Sequence, residues 1–153
     1  CGFLGDPQKE CVCTPLQVRR YRGRISGPLL DRIDIHCEVP AVRYREMASV
    51  GRGETSAAVK ERVDNARKAQ ATRFKGSAAS NSRMSARLVK RHCELAPDAA
   101  RLIETAVERL GLSARAYTRI LKVARTIADL EGEEGILSHH VSEAIQYRTL
   151  DRQ

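Results

Sequence analysis

The sequence predicts a mainly α-helical protein, and three observations carry that expectation. Apolar residues recur at i, i+3 and i+4 in three stretches, containing Leu102 to Leu110, Tyr117 to Ala128 and Val141 to Ile145. Helix starts and stops bracket them: Pro97, Ser113 and Ser138 open, and Gly111 and Gly132 close. Against these, only residues 33–39 alternate apolar and polar side chains as a half-buried strand does. Few aromatics, no Trp and many Ala, Leu, Ile, Val and Arg suit the same class.

The first element follows a loop that holds Cys1, Cys11 and Cys13. Three cysteines so close together suggest zinc before a disulfide in an intracellular protein. A closed tetrahedral site needs four ligands, and only three are present here. The alternative is three ordinary thiols. Thr14-Pro15-Leu16-Gln17 then reads as a helix start, with Thr14 as cap, Pro15 at the first position and Gln17 completing a capping box. Arg19, Arg20, Arg22 and Arg24 follow as the densest cationic run in the chain. Such a run meets phosphates, from DNA or from a neighbouring subunit's nucleotide, or else forms a solvated face with intersubunit ion pairs.

Gly27-Pro28 turns the chain and opens about one helical turn through Leu29, Leu30, Asp31 and Arg32. A strand is expected next, with Ile33, Ile35, Cys37 and Val39 on its buried face, ended by Pro40. Arg32 then stands between a short helix and a strand. It is either a fixed cation aimed outward or a surface arginine paired with Asp31 or Asp34.

Residues 42–53 are polar and irregular, and Gly51-Arg52-Gly53 reads as a joint. A long helix capped by Thr55 or Ser56 follows. Val59, Val63, Ala66, Gln70 and Phe74 give it a narrow stripe, as expected of a helix that bridges two parts. Residues 75–83 read as a linker. Beyond them Ser85 caps a short helix, and the three amphipathic helices can bury one another as a small bundle. Cys93 belongs with packing. Arg119 and Arg125 read as surface ion-pair residues. His139 and His140 have no convincingly spaced carboxylate partner and read as surface or capping residues.

Net charge is +8, from 27 Lys and Arg against 19 Asp and Glu. That permits a nucleic-acid partner without establishing one. No apolar run approaches the ~20 residues of a membrane span, and no signal-peptide pattern is present, so a soluble cytoplasmic protein with no membrane partner is expected. No G-x-x-x-x-G-K-[ST] occurs, so the chain lacks a phosphate-cradling loop and is expected to hydrolyse no ATP alone.

Several segments in order resemble the magnesium-chelatase-like AAA+ ATPases, specifically the ComM (YifB) group. They are Cys11-Val12-Cys13-Thr14-Pro15, residues 25–36, Gly111-Leu112-Ser113-Ala114-Arg115-Ala116-Tyr117, residues 123–132 and Glu143-Ala144-Ile145-Gln146-Tyr147-Arg148. The resemblance spans nearly the whole chain and is weakest over residues 41–53 and 75–83. It implies three parts. Residues 1–40 are the end of an AAA+ core with a cysteine-rich loop, a short helix and one strand. Residues 41–83 connect, and residues 84–153 form a helical lid. It implies a nucleotide-binding core upstream, consistent with a chain that begins at Cys1, and one more family cysteine before it that would complete a four-thiolate zinc site. It also implies ATP and Mg2+ in the full-length protein, self-association into a hexameric ring, and ATP-driven DNA branch migration in natural transformation. Arg32 matches the arginine finger and Arg115 the sensor-two arginine. Arg19 and Arg20 are the DNA-contact candidates. Residues 1–50, their strand without its sheet, are expected to pack less well than residues 85–148. The rival reading is a basic helical nucleic-acid-binding or scaffold module without catalysis, supported by the basic runs at 19–24 and 62–75; a zinc-stabilised structural module is a further one.

Overall fold

The computed structural model describes residues 1–39, 41–42, 44, 53–75 and 80–148. The Gly51-Arg52 part of the expected joint, Pro40 and the middle of the expected linker lie outside them. The described elements are α1 (Pro15–Arg22), α2 (Gly27–Leu30), α3 (Ser56–Arg73), a 3-10 turn (Asn81–Arg83), α4 (Ala86–His92), α5 (Pro97–Leu110), α6 (Ala114–Glu131) and α7 (Ser138–Gln146).

Local chemistry explains most of the ends. Thr14 caps α1 in a full capping box with Gln17, and Pro15 occupies the first turn. Thr55, Ser85 and Ser113 cap α3, α4 and α6 through backbone N–H groups three residues on. Gly111 and Gly132 end α5 and α6 in the left-handed region, at φ 61° and 79°. After each, the next residue's N–H closes back on the helix: Leu112 on Val107 O and Glu133 on Ala128 O. The expected Ser138 cap is corrected. Leu137 is the cap residue and Ser138 the first helical one; Leu137 has no hydroxyl to cap the turn, and the His140 Nδ1 reaches back to accept the Leu137 N–H at 2.9 Å, as the third helical residue of a capping box does.

Helix α6 organises the bundle. Its face of Ala116, Ile120, Leu121, Ala124, Ile127 and Ala128 is buried. It packs against α3, α4, the 3-10 turn and α7, while α5 packs on α7. Ile136, fully buried, lies parallel to Leu95 in an isolated bridge that ties the α4–α5 link to the loop before α7. Only the second half of α3 joins this core. Ala66 and Gln70 are buried, whereas Val59 and Val63 remain exposed.

The expected strand does not form, and the described residues contain none. Ile33, Ile35, Cys37 and Val39 are exposed, and His36, expected to face solvent, is buried. A strand is completed by a partner's ladder of hydrogen bonds. Among the described residues the segment's one backbone–backbone bond to the bundle runs from His36 N to Tyr147 O at the end of α7, 2.8 Å. Docking on a helix end instead of a sheet turns His36 inward, while Asp34 and Glu38 stay exposed along with the apolar residues.

Candidate functional site

Arg32 follows the one-turn helix α2 and is exposed. Its guanidinium donates to Pro28 O at 2.7 Å. Both neighbouring carboxylates engage the bundle. Asp31 Oδ2 accepts from the Ser113 hydroxyl at 3.1 Å, and Asp31 Oδ1 lies 3.8 Å from the Arg148 guanidinium. Asp34 pairs with Arg119 on α6. Arg148, whose side chain is 1% exposed, also donates to Ile33 O. Residues 31–36 are thus stitched to the start of α6 and the end of α7. Among the described residues no carboxylate pairs with Arg32, so the alternative of an ion pair with Asp31 or Asp34 is not what the structure contains.

Arg115 is the second residue of α6 and is exposed. Ser113, the cap of that helix, serves two partners. Its Oγ accepts from Ala116 N and its hydroxyl donates to Asp31. One side chain therefore joins the residue before Arg32 to the turn that carries Arg115. An arginine in a first helical turn sits at the positive end of the helix dipole, where an anion is the favoured occupant.

The cysteine loop gathers its thiols. The sulfurs of Cys1, Cys11 and Cys13 all lie within 4.8 Å of one another. Cys1 and Cys11 are 3.6 Å apart, close to the about 3.8 Å between two sulfurs on a tetrahedral zinc. The set fits three corners of such a site and leaves the fourth for another ligand. Cys37, expected in the core, is exposed. Cys93 is buried as expected, and burial pushes its thiol up to about 11.

A second cluster was missed from the sequence. Glu131 Oε2 lies 2.9 Å from both His139 Nε2 and His140 Nε2, so the histidines do have a carboxylate partner. These bonds hold the Glu131 carboxyl below its ordinary value. The His140 ring is no metal ligand in this arrangement. Its Nδ1 accepts the Leu137 N–H, so its Nε2 carries the hydrogen and donates to Glu131, leaving no lone pair for an ion.

Arg125, read as a surface residue, is buried with its side chain 3% exposed. Its Nε meets Asp129 at 3.1 Å, and its two terminal nitrogens donate to Glu134 O and Glu133 O at 2.6 and 2.5 Å. It is a structural tie between α6 and the loop that follows. On α1, by contrast, Arg19, Arg20 and Arg22 are exposed and pair with no carboxylate among the described residues.

Two family models match this chain. The one described as magnesium chelatase, subunit ChlI C-terminal, covers residues 53–148, and that for magnesium chelatase, subunit ChlI, covers residues 1–47. The competence protein ComM of Haemophilus influenzae is 44% identical over 140 residues, 91% of this chain and 27% of the relative. The YifB protein of Salmonella typhimurium is 44% identical over 141 residues, 92% of this chain and 27% of the relative. That of Escherichia coli is 42% identical with the same coverage of both. The chain spans about a quarter of the length of the curated relatives it matches, and aligns with their C-terminal part.

Proposed function

The chain belongs to the magnesium chelatase ChlI family as a ComM-like C-terminal fragment, and from that premise we propose that it supplies two arginines to ATP hydrolysis in a ring-forming motor acting on DNA. Arg32 is the finger. In a ring with ATP held between subunits, it meets the γ-phosphate of the adjacent subunit's nucleotide. Charge spreads over the phosphoryl oxygens in the transition state, and a planar, permanently charged guanidinium stabilises it. Arg115 reads the nucleotide from the helical lid. ATP and Mg2+ come with the ring's nucleotide sites in the full-length protein, and the ring is hexameric. DNA branch migration is the motor's task, in the cytoplasm. Arg19 and Arg20 are positioned for phosphates of DNA. Cys1, Cys11 and Cys13, with a fourth ligand, hold a structural zinc.

The observation that carries this reading is the state of Arg32. It is an exposed cation whose adjacent carboxylates are occupied elsewhere. The test is Arg32→Ala in the full-length protein. ATP hydrolysis should fall by about 10³-fold or more while DNA binding survives. Unchanged hydrolysis removes the assignment. The reading as a basic module without catalysis draws on the exposed arginines of α1, and it predicts that reversing Arg19 and Arg20 abolishes DNA binding while Arg32→Ala changes nothing.

A further inference from the structure

Resting on the finger assignment, we propose that Arg119 is a positioning residue that keeps Arg32 available by holding Asp34 away from it. Asp34 lies two residues after Arg32 in the sequence, and both are exposed to solvent. An arginine paired with a neighbouring carboxylate is half neutralised and turned from any phosphate. Instead Asp34 engages Arg119 on α6, across 85 residues of sequence. Asp31 is held in the same way by Ser113 and Arg148. Among the described residues Arg32 is left with the neutral Pro28 carbonyl. The bundle therefore unmasks the finger. The Asp34 side chain is 48% exposed and that of Arg119 25%, so the pair is weak enough to exchange. A shift of the bundle away from residues 31–36 releases Asp34 to Arg32 and lowers the working charge. This makes lid position an input to the finger.

The acidic partner takes no part in the chemistry, and that gives the test its form. In the full-length protein, Arg119→Ala should lower the kcat of ATP hydrolysis about two- to fivefold, the population shift an exposed ion pair can produce, with KM for ATP unchanged. Arg119→Lys keeps a cation for Asp34 and should stay near wild type. Asp34→Asn alone should leave kcat unchanged, and Asp34→Asn with Arg119→Ala should restore it. If Arg119 merely staples the segment to the bundle, Asp34→Asn lowers kcat as much as Arg119→Ala and the double variant does not recover. Either of those results overturns the proposal, as does an unaltered kcat in Arg119→Ala. Arg32→Ala, run alongside, separates the two layers. If it leaves hydrolysis intact, the finger assignment fails first. If it abolishes hydrolysis while Arg119→Ala is silent, only the unmasking fails.

Discussion

Arg73 and Asp129 meet as a two-pronged ion pair, with guanidinium nitrogens 2.7 and 2.5 Å from the two carboxylate oxygens. The pair joins the end of α3 to the last turn of α6. The same carboxylate accepts from Asn81 Nδ2 at 2.8 Å and Arg125 Nε at 3.1 Å. Asn81 in turn binds Arg73 and Thr126, and its N–H meets the Gln70 side chain. The bond from Asp129 holds the Arg73 guanidinium above its ordinary value, while burial pulls Arg125 below its own. Both remain charged, since arginine does not lose its proton in proteins.

From this the first prediction follows. Asp129→Ala removes the counter-charge and leaves Arg125 buried and Arg73 partly buried without it. The expected loss is about 3–5 kcal/mol, the range for breaking one side of a buried pair. Urea unfolding of wild type and variant measures it. A surface control, Asp64→Ala, removes the exposed pair with Lys60 and should cost far less. Equal losses in the two variants would show that the network carries no special weight.

Thiol chemistry gives the second. Cys1, Cys11, Cys13 and Cys37 are exposed or half-buried, whereas the Cys93 thiol is buried and pushed up to about 11. Thiolate is the reacting form, so Cys93 should be alkylated by iodoacetamide far more slowly than the other four at neutral pH. With zinc added, Cys1, Cys11 and Cys13 should be protected together while Cys37 stays reactive. Mass mapping of the labelled sites reads both effects. Protection of Cys37, or of only one loop cysteine, would count against the three-sulfur cluster.

The bundle was legible because its signals are local. Ser85, Ser113, Gly111 and Gly132 each start or stop a helix through bonds to the adjacent turn, so the sequence alone contains the cause. The segment at 33–39 was not, because strand formation depends on a partner that alternation cannot supply. Its real anchors, Arg119, Tyr147 and Arg148, are over eighty residues away. Arg125 was misplaced for another reason. With Asp129 at i+4 it looks like a surface pair, yet it also stands four residues after Leu121 and three before Ala128, both buried. A charge within reach of that apolar face was the available signal. At the candidate site, the family pattern picks out Arg32 and Arg115, but nothing local marks Asp34 as belonging to Arg119.

Acid should expose the role of Glu131. The bonds from His139 and His140 hold its carboxyl below the ordinary range. A carboxylate lowered in the folded state stabilises above its unfolded pKa, and that contribution is lost as pH falls through the lowered value. Glu131→Gln should therefore melt below wild type at pH 6–7, with the gap closing below about pH 4. Thermal melts of both proteins across that range decide it. A gap that persists unchanged in acid would assign the effect to packing instead of charge.

Packing separates the two ends of the described chain. Helices α1 and α2 bury no residue, and Leu16, Tyr21 and Leu29 within them are exposed. Helix α6 buries Ala116, Ile120, Leu121, Ala124, Ile127 and Ala128 among others. Local opening costs little where few apolar groups leave a core, so amide protection should follow this difference. In the isolated chain, hydrogen exchange over residues 15–30 should be within about tenfold of the unprotected rate, and α6 should be slowest. The amide of His36 is the exception, since it is bonded to Tyr147 O and covered by the bundle. It should be slower than its neighbours. Uniform protection from residue 1 to residue 148 would mean that α1 and α2 are held by more than the contacts described. A His36 amide that exchanges as fast as its neighbours would mean that its bond to Tyr147 O does not seat the segment.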